Sequence, residues 1–375
     1  MIERANDKLL FTPGPLTTSF RVKQEMLHDA GSWHYEFTSV VTSIRRQLLA
    51  ITCLPIDYEY ECILLQGSGT YGVESVIGSV VPPQGKLLII TNGAYGERIV
   101  QMAQALRINH QVLRCEETER PQTDKLDDML SHDSSISHIA MVHCETTTGI
   151  LNPLETIGQI IARHRRVFIV DAMSSFGAIP INFQVASIDF LISSANKCLE
   201  GVPGFSFVIA RKNRLLESEG CARSLSLNLH AQWRGFEKNG QFRFTPPTHS
   251  LLAFARALQE HQDEGGVNSR ATRYSDNHHI LIDGMRPLGI LPLLPDNLQS
   301  YIITAFRYPE NKAFHFDAFY TSLSDEGMII YPGKLTKINT FRIGTIGRIF
   351  PSDIRALLHS IRNVLIRMEC PIPSK

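Results

Sequence analysis

Lys197 follows an apolar run, Ile188–Ile192, inside the segment SSANKC, among small polar residues and next to Cys198. Asp171 ends another apolar run, in VFIVDAMSSFG, 26 residues earlier. A third stretch, QGSGTYGVE, follows Ile63-Leu64-Leu65 and offers Ser68, Gly69 and Thr70 where a helix is expected to begin. A desolvated lysine can lose its proton and attack a carbonyl. A buried carboxylate requires a partner, either the amides of the following turn or a cationic ring nitrogen. Free amides at a helix N-terminus beside hydroxyls form an anion site, most often for phosphate. Each feature alone also fits a bland role: a strand-end lysine, a turn-capping aspartate, a glycine-rich helix cap. Together, in this order, they match what pyridoxal phosphate requires: a lysine for its carbonyl, a carboxylate for its ring nitrogen and a phosphate cradle.

Such groups meet only if the apolar runs are neighbouring strands. Lys86–Ile90, His138–Val142, Val167–Val170, Ile188–Ile192 and Phe205–Ile209 alternate with helical patterns such as PLETIGQIIARH. That alternation predicts an α/β domain with a largely parallel sheet covered on both faces. Ligands then sit at the carboxyl ends of the strands. After about residue 250 the pattern changes. THSLLAFARALQEHQDEGG predicts a long helix stopped at Gly265-Gly266. Strands at Ser300–Phe306, Met328–Tyr331 and Thr340–Ile343, and an amphipathic C-terminal helix, predict a smaller α+β unit. The expected division is residues 20–255 as the large domain and residues 1–19 with 256–375 as the small one.

Composition narrows the classes. Thirty-seven basic residues balance 37 acidic ones, so the overall charge points to neither nucleic acid nor an anionic membrane. No apolar run approaches the roughly 20 residues of a membrane span. The start has no basic-then-apolar signal, so a cytosolic protein is expected. Seven scattered cysteines show no zinc spacing and are expected to be reduced thiols. His278-His279 are expected to be surface residues rather than ligands.

The motifs LLFTPGPLTTS, LLQGSGTYGVE, TNGAYG, HCETTTGILNPL, VDAMSSFG, SSANKCLEGVPGF, FTPPTH, IIYPGK and FRIGTIG resemble those of the class V aminotransferases of fold type I, essentially end to end. More narrowly, they are similar to the branch whose amino donors are aminophosphonates. The resemblance implies a pyridoxal phosphate enzyme that moves an amino group from a small-molecule donor to a 2-oxo acid. It also implies a homodimer with shared active sites. Lys197 would hold the cofactor and shuttle the proton, and Asp171 would bind the ring nitrogen. Ser68, Gly69, Thr70 and Ser194 would bind the phosphate, and Tyr95 would stack on the ring. Thr147 would hydrogen-bond near the ring hydroxyl, and Thr248 would reach the phosphate in the neighbouring subunit. Arg342 would clamp the substrate's acidic group with forked hydrogen bonds. One stretch departs from the branch: WHYEF, Trp33 to Phe37, stands where an acidic WDDDY is usual, and it is closer to alanine- or serine–glyoxylate transaminases.

Overall fold

The computed structural model describes residues 7–54, 59–335 and 338–372. The expected domain spans also take in residues outside these, as does the very start of the chain. Seven strands form the central sheet: β1 (Tyr60–Gln66), β2 (Lys86–Thr91), β3 (His110–Arg114), β4 (Ile136–Val142), β5 (Val167–Asp171), β6 (Phe190–Ser194) and β7 (Phe205–Arg211). Their spatial order is β1-β7-β6-β5-β4-β2-β3. Only β7 runs against its neighbours; the pairs from β6 to β3 are all parallel. The fold is the expected α/β architecture with a mostly parallel sheet. Its inner strands are mostly apolar without alternation because helices cover both faces; β5 is buried at every position, whereas the edge strand β3 is polar and largely not buried.

The order puts β5 and β6 side by side, with Asp171 opposite Ile192 and also opposite Val142 of β4. Asp171, Ser194 and the turn after Ser194 therefore share one rim of the sheet. The helix α1 (Gly69–Val80) starts at the same rim with Ser68 as its cap, and Ser68 makes no side-chain capping bond. The helix α2 (Ala94–Ala105) begins nearby, after β2.

A large apolar core runs from Val22 to Leu258 around this sheet. A second core joins Phe11 to residues between Leu281 and Cys370. It lies around a three-stranded antiparallel sheet of Ile303–Arg307, Thr340–Gly344 and Tyr331–Pro332. Three details differ from the sequence expectation. The Met328–Tyr331 strand is split: Met328–Ile329 pairs with Leu9–Leu10, and Tyr331–Pro332 pairs with the other sheet. The helix Thr248–Glu264 ends at a left-handed Gly265 as expected, but a 20-residue helix, Gly266–Met285, follows at once. On it, His278 is half-buried against Thr304, 3.3 Å away, and burial holds its pKa near 4, while His279 is exposed.

Candidate active site

A cavity of about 180 Å³ opens at the rim of the central sheet. Ser68, Gly69, Thr70, Tyr95, Asp171, Ser194 and Lys197 all line it. Seven of the ten residues singled out in the sequence thus meet in one space. A larger cavity of about 700 Å³, beside Phe176 and Leu258, contains none of them.

Lys197 lies three residues beyond β6. Its Nζ donates to the Pro13 carbonyl at 2.9 Å. Gly14 has a left-handed φ of +119°, and a Cβ there would stand 2.5 Å from the Lys197 Nζ, so only glycine lets this segment close over the lysine. Burial lowers the Lys197 pKa, and the nearby Lys334 lowers it further, against the opposing pull of Tyr95, Cys198 and Asp171. This is the environment that makes a lysine a nucleophile and proton carrier.

Asp171 is 7% exposed. Burial raises its pKa to about 6, and Glu145 adds to the rise; the Met173 amide and the more distant Lys197 and Arg98 pull the other way. The Met173 N–H donates to it at 2.9 Å. A carboxylate so weakly compensated is suited to a cationic partner arriving from outside the chain.

The other three residues stand outside the cavity lining. Thr147 is buried, and its hydroxyl is already engaged: it donates to Glu145 at 2.6 Å and accepts from the Ala94 amide at 3.2 Å. It fixes the start of α2, and so Tyr95, rather than facing the cavity. Thr248 opens the helix Thr248–Glu264 and does not face the cavity of its own chain. Arg342 is buried. Its Nε donates to Pro332 O at 3.0 Å and its Nη1 to Thr146 O at 2.9 Å. Burial lowers its pKa, with the Tyr95 hydroxyl among the groups that oppose this. Trp33 to Phe37 line no part of the cavity; Trp33 and Tyr35 are exposed, and Tyr35 starts a helix.

Four residues escaped the sequence reading. Arg98 lines the cavity, donates to Thr70 Oγ1 at 3.2 Å and lies 4.9 Å from the centre of the Tyr95 ring. Its place three residues after Tyr95 on a helix was the available signal. Lys334 donates to the Tyr95 hydroxyl at 3.3 Å. Glu145, fully buried, accepts from the Tyr95 and Gly96 amides and caps α2 from a separate strand. Burial raises its pKa despite these bonds. Cys144 lines the cavity, and burial pushes its thiol up to about 12, so it is inert at neutral pH. Cys198 points away, to the Ser174 carbonyl at 3.3 Å.

The cavity fits the group expected from the sequence. Ser194 Oγ is buried without a hydrogen-bond partner and lines the cavity beside the uncapped start of α1. Free amides, unspent hydroxyls and Arg98 compose a phosphate cradle. Asp171 and Lys197 supply the carboxylate and the amine.

The profile of the family Aminotransferase class-V matches residues 23–346, and the chain belongs to this family. Among its relatives are the 2-aminoethylphosphonate–pyruvate transaminases of Klebsiella pneumoniae and Salmonella typhimurium. Each is 52% identical over 359 residues, covering 95% of this chain and 97% of the relative. Two solved structures share the fold. Ureidoglycine–glyoxylate aminotransferase from Bacillus subtilis has a TM-score of 0.89 at 21% identity, over 100% of this chain and 97% of that one. Pyridoxamine–pyruvate aminotransferase from Mesorhizobium loti has a TM-score of 0.87 at 21% identity, over 97% and 93%.

Proposed function

We propose that this protein moves the amino group of 2-aminoethylphosphonate to pyruvate, giving phosphonoacetaldehyde and L-alanine, with pyridoxal phosphate as its cofactor. The observation that carries the reading is the arrangement around Tyr95. Lys197 and Asp171 line the cavity with Tyr95, and the buried Arg342 guanidinium interacts with the Tyr95 hydroxyl. The 52% identity to enzymes of that name over almost the whole chain supports the choice of substrates.

Pyridoxal phosphate, when bound, supplies the electron sink for the bond that breaks at the donor carbon. Lys197 would take the proton from that carbon and hold it on its Nζ, and with pyruvate it would give a proton to the corresponding carbon. Asp171 would hold the ring nitrogen and favour its charged form. Ser68, Gly69, Thr70 and Ser194 would anchor the phosphate, and Tyr95 would pack on the ring. Arg342 binds the anionic end of each substrate in turn. In this reading the working form is a cytosolic homodimer, with Thr248 reaching the phosphate of the other subunit. Residues 20–255 form the cofactor domain, and residues 1–19 with 256–375 form the domain beside it.

The test is a half-reaction. Mixing the pyridoxal form with 2-aminoethylphosphonate should convert its visible absorbance to that of the pyridoxamine form, and pyruvate should restore it. The WHYEF residues motivate a rival, an alanine- or serine–glyoxylate transaminase. No change with the aminophosphonate, and fast turnover with alanine and glyoxylate, would replace the first reading with the second.

A further inference from the structure

Arg342 is already partly committed. Of its five N–H donors, those on Nε and one on Nη1 go to main-chain carbonyls. A third is directed to the Tyr95 hydroxyl, and the two that remain can form one fork to two oxygens, which satisfies a carboxylate. A phosphonate has a third oxygen and carries up to a second negative charge, so Arg342 leaves it under-served.

Lys334 stands where that deficit would fall. It is exposed, in the link between Tyr331–Pro332 and Thr340–Gly344, the two strands whose pairing sets Tyr331 opposite Arg342. Its Nζ lies 3.3 Å from the Tyr95 hydroxyl and 5.0 Å from the ring centre. No carboxylate among the described residues forms an ion pair with it. The Tyr95 hydroxyl is thus the meeting point of Lys334 and Arg342. Arg98, the other cation at Tyr95, is turned to the opposite task, since it donates to Thr70 in the phosphate cradle. The charge of Lys334 is felt across the site. Burial alone would raise the Tyr95 pKa, but a bond with Thr146 and the ammonium groups of Lys334 and Lys197 lower it.

We propose that Lys334 is the second cation of the substrate-anion subsite and sets the preference for a phosphonate over a carboxylate at that position. Resting on the function proposed above, this assigns the two substrates different contacts: the carboxylate is held by Arg342, and the phosphonate by Arg342 together with Lys334. Lysine suits the role because it is a compact charge on a flexible stem that can leave Tyr95 when a smaller anion binds.

The experiment compares holoenzyme, Lys334→Met and Lys334→Arg in the half-reactions with 2-aminoethylphosphonate and with L-alanine. In Lys334→Met, kcat/KM for the aminophosphonate should fall about 10- to 100-fold, the effect of losing a hydrogen bond to a charged group. The loss should sit mainly in KM, the value for alanine should fall far less, and Lys334→Arg should recover most of it. A merely structural tie between Lys334 and Tyr95 would lower both substrates equally, and that result, or no change in either, overturns the proposal. Inhibition by ethylphosphonate and by propionate gives a readout independent of turnover. Weakened inhibition by ethylphosphonate alone upholds the assignment even if the aminophosphonate proves not to be a donor; equal effects on both inhibitors reject it.

Discussion

Two groups of buried charge lie within a few residues of each other and behave in opposite ways. On the cavity side, Asp171 has one close amide and only distant cations, and its pKa rises to about 6. Behind the lysine turn, Glu200 is just as buried, but it meets Arg273 at 2.6 Å, the Tyr274 hydroxyl at 2.7 Å and Arg270 at 3.5 Å. Burial alone would raise its pKa, yet these partners lower it. Glu264 completes the network with both arginines and is held down to about 2. Depth is similar, so partners decide the sign. The network balances its charges within the chain, although Glu200 Oε2 is buried without a hydrogen-bond partner. It fixes Glu200 at a left-handed φ of 56°, while Arg270 Nη1 donates to the Cys198 carbonyl at 2.5 Å, so both flanks of the lysine turn are held. The cavity is left electrically incomplete, to be completed by what binds there.

Substitutions can break that contrast. Lys197→Ala should lower turnover by more than about a thousandfold and abolish the visible cofactor band, while the thermal midpoint changes little. A large loss of stability would place Lys197 with the structural charges instead. Glu200→Gln should do the reverse, costing roughly 3–5 kcal/mol in urea unfolding because two arginines each lose one of their two carboxylate partners.

Opposite pH slopes are a sharper test. The Glu264 carboxyl is depressed, so its stabilisation is complete above about pH 4.5 and is lost as the pH falls towards 2. The Asp171 carboxyl is raised, so its contribution is complete below about pH 3.8 and is lost as the pH rises through 6. Each displacement corresponds to on the order of 3 kcal/mol. In cofactor-free protein, Asp171→Asn should therefore gain stability over wild type as the pH rises from 4 to 7. Glu264→Gln should lose stability relative to wild type over pH 5 to 7, and the gap should narrow towards pH 2. Parallel profiles for the two variants would erase the distinction. The smallest effect is expected from Thr147→Val, about 1–2 kcal/mol, since it leaves the Ala94 amide without a partner and removes one of the two bonds to Glu145 Oε1.

The cavity half of this contrast was largely legible in the sequence, because sheet chemistry gathers at strand ends and Asp171, Lys197 and Ser68 each follow an apolar run. The network half was not. Arg270 and Arg273 lie on the helix Gly266–Met285, whose polar composition hides that Arg270, Tyr274 and Asn277 face inward. Thr147 and Glu145 were read as one motif, but which of them faced the cavity depended on how α2 starts. Lys334 reaches Tyr95 across 239 residues, and no local pattern encodes that meeting.

The contact between Lys197 and Pro13 has a consequence in time. Leu9–Leu10 pair with Met328–Ile329, and Phe11 packs in the second core, so residues 9–11 depend on segments some 300 residues further on. A chain leaving the ribosome presents Lys197 and its sheet long before those partners exist. During that interval the lysine's carbonyl acceptor has nowhere to dock. The cofactor lysine therefore acquires its final surroundings near the end of synthesis, when the segment made early is fastened by the one made late.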